Sequence, residues 1–159
     1  MDWQKLYQSR VVSSEEAVKA IKSGNRIFMT GNVSVPQTVL AALVNHAPNL
    51  KDVEIVQALT IGPADYVGPA MEGHLRVNTI FISANIRKAV NEGRADFTPV
   101  MLSEFPLLFK RGILPLDVAM IHVSPADEHG FCSLGVEVGL TKTPAESAKI
   151  IIAEVNEQM

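Results

Sequence analysis

A single cysteine, Cys132, stands in a chain of 159 residues, so neither an intrachain disulfide nor a multi-cysteine metal site can form. Aromatic residues are scarce at 6%, no basic run occurs, and the formal net charge is -3, so the marks of a nucleic-acid binder are missing. No apolar stretch approaches the roughly twenty residues needed to cross a bilayer. The opening MDWQKLYQSR also lacks the apolar centre of a secretory signal. Together these absences predict a cytoplasmic protein with no membrane and no nucleic-acid partner. What is present is ordinary for a folded domain: 47% apolar and 19% charged residues, in a length that suits one core.

Hydrophobic periodicity divides the chain into alternating elements. Residues 2–9 predict an opening helix with Trp3, Leu6 and Tyr7 on one face. Ser13 or Ser14 caps a second helix carrying Ala17, Val18 and Ile21, and Gly24 ends it. A strand over 26–30 is followed by the loop GNVSVPQ and a helix opened by Pro36, with Val39, Leu40, Leu43 and Val44 on its packed side. Further strands are predicted over 53–59, 75–83 and 97–102, the last divided by Pro99 and therefore at an edge or irregular. A helix with Ile86, Ala89 and Val90 on one face ends at Gly93, and Ser103 caps the helix that follows the fourth strand. Helical turns within 139–147 then lead to KIIIAEV, an apolar run of the kind expected when both faces of a strand are covered. Strands alternating with helices predict an α/β fold of three layers, with a mostly parallel sheet and helices on both faces.

The stretch DVAMIHVSPADEHGFCSLG, residues 117–135, concentrates the chemistry. It predicts a buried strand over 118–123, a turn rich in acid, His and Gly, and a short second strand before Gly135. The crevice beyond the carboxyl ends of parallel strands is where such sheets bind ligands. Gly130, Ser133 and Gly135 are candidates for the wall of that cleft, and a plain turn-and-hairpin role fits them equally. Gly31, Asn32, Val33 and Pro36 lie at a predicted helix start, where free backbone N–H groups can hold an anion or a carbonyl oxygen. His129 reads as an exposed turn histidine and Cys132 as a buried, inert thiol. No metal-ligand spacing is present.

These motifs resemble a known family. DVAMIHVSPADEHGFCSLG is similar to the D-V-A-x-I-x-V-S-P-x-D-x-x-G-x-x-S-L-G signature of the acetyl-CoA hydrolase/transferase family, which includes 4-hydroxybutyrate and butyrate-type CoA-transferases. The loop from Gly31 through Pro36 resembles that family's first glycine loop, and RVNTIFISANIRKAVNEGRADFTPVMLSEFPLLF resembles its middle segment. The resemblance implies two α/β domains of the CoA-transferase type with the active site between them. It implies CoA exchange between a short-chain acyl-CoA and a carboxylate, through a glutamyl-CoA intermediate. CoA would then be a substrate, and no permanently bound cofactor or metal is expected.

Residues 1–159 would form the N-terminal domain and one wall of the cleft. The family's nucleophilic glutamate lies in the second domain, so no catalytic residue is expected in this chain, and a C-terminal domain or separate subunit is expected to supply it. Glu128 and Glu137 each begin a Glu-x-Gly triplet but match no nucleophile position; they read as a turn carboxylate and a strand–helix junction residue. An apolar face left without that domain predicts a homo-oligomer. The alternatives are an acyl-CoA hydrolase of the same family and a non-catalytic small-molecule-binding module on the same fold. A sugar-phosphate isomerase would call for more Lys, Arg or Gly in the loops.

Overall fold

A computed structural model describes residues 3–159. Six strands, β1 (Arg26–Met29), β2 (Val53–Gln57), β3 (Leu75–Thr79), β4 (Asp96–Phe97), β5 (Val118–Val123) and β6 (Ile150–Val155), form one sheet in the order β4-β3-β2-β1-β5-β6. Every neighbouring pair is parallel. Among the described residues six α-helices accompany them: α1 (Trp3–Arg10), α2 (Ser14–Ala17), α3 (Gln37–His46), α4 (Arg87–Asn91), α5 (Phe105–Lys110) and α6 (Lys142–Ser147).

The period-two alternation of each strand divides its side chains between two cores. Ile27, Met29, Val118 and Met120 pack with Val39 and Leu43 of α3 and with Ile86 and Ala89 around α4. Phe28, Ala119 and Ile121 point the other way, onto Phe105 and Phe109 of α5. Strands β1 to β4 advance in one direction across the sheet, whereas β5 and β6 lie on the far side of β1. Crossovers of constant hand put helices on opposite faces when the direction reverses, which is why α5 and α6 cover the second face.

The aromatic cluster under α5 is close and edge-on. The rings of Phe105 and Phe109 lie 4.9 Å apart at 87°, and Phe28 meets Phe109 at 5.9 Å and 68°. At the amino edge, Asp117 holds three strand starts together. Its carboxylate accepts from the Arg26 N–H at 2.9 Å and from Lys149 Nζ at 2.8 Å, its N–H donates to Arg26 O, and its carbonyl accepts from Ile150 N–H. The Lys149 hydrogen bond, and after it the Arg26 N–H, hold the Asp117 carboxyl below its ordinary range.

Several boundaries differ from the sequence expectation. The proposed helix start at Asp2 lies outside the described residues. Ser13 rather than Ser14 caps α2, accepting from the Glu16 N–H at 3.3 Å, and the helix gives way to a 3-10 turn, Val18–Ala20, well before Gly24. Strand β4 is at an edge, as Pro99 required, but it is two residues long; after Thr98 N–H pairs with Thr79 O the proline offers no donor. Ser103 does not cap α5, whose first turn is tied down by Glu104 N–H donating to Met101 O. The second strand before Gly135 does not form. β6 lies at an edge with Ile150 and Ile151 exposed at 42% and 52%, because an apolar run reports what a strand could bury and not whether neighbours cover it. Among the described residues no helix is long and apolar enough to cross a membrane.

Phe105 is fully buried, so Phe105→Ala is expected to cost about 3–5 kcal/mol of unfolding free energy, measured by denaturant titration. A carboxyl whose folded pKa lies below its unfolded value adds stability above about pH 4 that disappears as the pH falls through the folded value. Asp117→Asn keeps an acceptor for Arg26 and loses the charge. The stability difference between the two proteins is therefore expected at pH 6 and should vanish on acidification; a pH-independent difference would mean Asp117 acts only through its hydrogen bonds.

Candidate functional site

All six carboxyl ends lie on one edge, and the reversal of strand order falls between β1 and β5. The two loops that follow these strands therefore diverge and leave an open crevice at a topological switch point. Its walls are Asn32 from the first loop, Glu137, Gly139 and Leu140 from the second, and Leu102, Ser103 and Pro106 from the start of α5. The cavity volume is about 790 Å³.

The first loop is held by close backbone approach. A Cβ on Gly31 would lie 2.3 Å from the carbonyl oxygen of Leu59, so the position requires glycine for space. Asn32 adopts a left-handed φ of 51°, and its N–H donates to Leu59 O at 2.7 Å. The Ser34 N–H donates to Gly31 O at 3.0 Å. Two of the loop's backbone donors, expected to face a ligand, are thus engaged within the chain. Val33 stands exposed at 70% and Pro36 is buried at the entry to α3. The first turn of that helix is also partly occupied: Glu154 of β6 accepts from the Val39 N–H at 2.9 Å and from the Thr38 hydroxyl at 3.1 Å.

The second loop is organised by its own side chains. Ser124 exchanges bonds with Ser133, its N–H donating to Ser133 O at 3.0 Å and its Oγ accepting from the Ser133 N–H at 2.9 Å. Asp127 accepts from the N–H groups of His129 at 2.9 Å and Phe131 at 2.8 Å, and the Phe131 bond is the main reason its carboxyl is held below the usual range. These side-chain bonds take the partners that a second strand would have used. Gly130, at a φ of 86°, faces the Trp3 ring of α1; Gly135, at 61°, faces the Met159 thioether, and its N–H donates to the Ser133 hydroxyl. Gly130, Ser133 and Gly135 thus shape the loop and do not line the crevice, whereas Asn32 does.

The structure joins the two loops through residues that sequence reasoning did not pair: the Asn32 side-chain amide donates to the Glu137 carboxylate. In the sequence Glu137 reads as a junction residue, and its proximity to Asn32 follows from strand order, which spacing does not reveal. A second polar group was signalled only by the small polar residues after β3. Thr60, Tyr66, Ser83 and Gln57 are buried together, with Thr60 Oγ1 3.2 Å from the Tyr66 hydroxyl and 3.3 Å from Ser83 Oγ. Burial pushes the Tyr66 phenol up. Cys132 is exposed, contrary to expectation, because its segment leaves the sheet. His129 is an exposed turn residue 3.4 Å from the Glu128 carboxylate. Among the described residues no three His, Cys, Asp or Glu side chains converge as a metal set.

Comparison with known proteins gives a consistent relationship. The model of the acetyl-CoA hydrolase/transferase N-terminal domain matches residues 1–159. A 4-hydroxybutyrate coenzyme A transferase of Clostridium kluyveri is 42% identical across the whole chain, which covers 37% of that protein. A succinyl-CoA:acetate/propanoyl-CoA:succinate CoA transferase of Fasciola hepatica is 41% identical over 92% of the chain and 31% of its own length. Among solved structures, a 4-hydroxybutyrate CoA-transferase of Porphyromonas gingivalis superposes with a TM-score of 0.82 at 32% identity, over 99% of this chain and 36% of that one. The chain thus spans about a third of the length of the curated relatives it matches. It belongs to the acetyl-CoA hydrolase/transferase family and corresponds to that family's N-terminal domain.

Proposed function

We propose that these residues form one wall of the acyl-exchange cleft of a CoA-transferase that moves CoA between a short-chain acyl-CoA and a carboxylate. The observation that carries this reading is the switch-point crevice, walled by an amide, a hydroxyl, a carboxylate and apolar side chains. The relatives named as CoA-transferases are roughly three times as long as the matched residues, which leaves room for a second domain. The carboxyl edge is also rimmed by exposed apolar side chains, Val33, Ile61, Phe81, Met101, Phe131 and Val136, as an edge covered by another folded unit would be.

The chemistry divides a hard exchange into easier steps. A glutamate carboxylate from the second unit attacks the thioester carbonyl, giving an acyl-glutamyl anhydride and CoA thiolate. The thiolate attacks the glutamyl carbonyl, forming glutamyl-CoA and releasing the first carboxylate. An acceptor carboxylate then attacks the thioester carbonyl, expelling CoA thiolate and forming a second anhydride, and the thiolate attacks the acceptor's carbonyl in that anhydride to give the new acyl-CoA and free glutamate. This wall contributes substrate orientation and exclusion of water; water in place of the acceptor would make the protein a hydrolase. Coenzyme A is a substrate in this scheme. A homo-oligomer belongs to the same proposal, supported by the exposed Ile150, Ile151 and Val155 of edge strand β6.

The test is CoA transfer from acetyl-CoA to butyrate, followed by chromatography of the acyl-CoA products. Residues 1–159 alone are expected to show no exchange, and a polypeptide extended to the length of the relatives is expected to show it. Exchange by residues 1–159 alone would place the nucleophile within this chain. Silence at both lengths would overturn the transferase reading in favour of a binding module.

A further inference from the structure

On the reading of the crevice as one wall of an acyl-exchange cleft, we infer that Thr60 is a positioning residue: its buried hydroxyl fixes the turn that holds Asn32 in that wall. Asn32 has a left-handed φ of 51°, a conformation that a residue with a side chain keeps only where its surroundings impose it. What imposes it here is the loop after β2. The Asn32 N–H donates to Leu59 O at 2.7 Å, and a parallel bridge joins Asn32 to Thr60. Thr60 is 4% exposed and does not line the crevice, so it acts through Asn32.

The Thr60 hydroxyl ties together segments that lie apart in the sequence. Gln57 Nε2, at the end of β2, is 3.3 Å from Thr60 Oγ1; the Tyr66 phenol is 3.2 Å away, and Ser83 Oγ, after β3, 3.3 Å away. A hydroxyl has one proton and two lone pairs. The Gln57 amide and the Tyr66 phenol, which burial keeps protonated, occupy both lone pairs. Ser83 gives its own proton to Asn85 Oδ1 at 2.6 Å, so its oxygen is left to accept the Thr60 proton. Asn85 Nδ2 then donates to Gly62 O at 3.1 Å, which closes the ring of bonds on the turn that carries Thr60. Gln57, Thr60, Tyr66 and Ser83 are all buried, so the place of this turn is set within the domain whatever covers the crevice.

The experiment uses the protein encoded by its complete reading frame and compares Thr60→Val, which keeps the shape and loses the hydroxyl, with Thr60→Ser, which keeps the hydroxyl. Valine leaves the Gln57 and Tyr66 donors without their acceptor, and the turn is expected to loosen. Hydrogen exchange at the Asn32 backbone amide is expected to rise about tenfold in Thr60→Val while the amides of β1 and β5 keep their protection. The kcat/KM for CoA transfer from acetyl-CoA to butyrate is expected to fall by about the same factor, and Thr60→Ser to restore both. If Thr60→Val does not fold, Tyr66→Phe removes a single donor and is read by the same exchange and transfer measurements. Unchanged exchange at Asn32 overturns the proposal, as does an equal rise throughout β1 and β5 or a Thr60→Ser protein as impaired as Thr60→Val. A loosened Asn32 with wild-type transfer also overturns it, and leaves the transferase reading intact. If the wild type transfers CoA to no acceptor, that reading fails, and exchange at Asn32 decides the role of Thr60 alone.

Discussion

Because all six strands run parallel, their carboxyl ends share one edge, and the change of direction between β1 and β5 forces the loops there apart. That separation is the constraint on which the candidate site depends. A chain that simply added strands in order would leave helices on one face and no divergent loops at the centre of the sheet. Here the reversal places the two apolar cores on opposite faces and leaves polar residues at the opening between β1 and β5.

The two edges of the sheet are built differently. At the amino edge Asp117 ties together the beginnings of β1, β5 and β6 with backbone bonds and one lysine contact. At the carboxyl edge the loop after β1 is held by the close approach of Gly31 to Leu59 in the loop after β2, and the loop after β5 by the local exchange between Ser124 and Ser133 and by the Asp127 turn. Such turns satisfy backbone donors without regular structure. They leave side chains such as Asn32 and Glu137 free to meet across the opening, and they leave the apolar rim of the edge in solvent. An interface is a physical use for that rim that burial in this domain does not supply.

Much of the layered architecture was legible from periodicity. The apolar residues around Phe28 announced a short strand and those around Met120 a buried one, and Val39, Leu40 and Leu43 announced the packed side of α3. Pro99 correctly demoted its segment to an edge, and the long signature beginning at Asp117 carried the family. Less legible were the strand before Gly135 and the burial of Cys132, where local side-chain bonds outcompeted the sheet, and the covering of β6, which depends on what lies beside it.

The sequence by itself determined the fold class, the family and the loops that could carry chemistry, because alternation, glycine placement and signature residues are local properties of the chain. Tertiary structure alone decided strand order, and with it which loops face one another. It drew Glu137 to Asn32 across more than a hundred residues and directed Glu154 to the start of α3, while Gly130 and Gly135 turned toward Trp3 and Met159. The physical reason is that such contacts arise from the packing of whole strands and helices, whose partners are chosen by the global arrangement and leave no spacing signal in the chain.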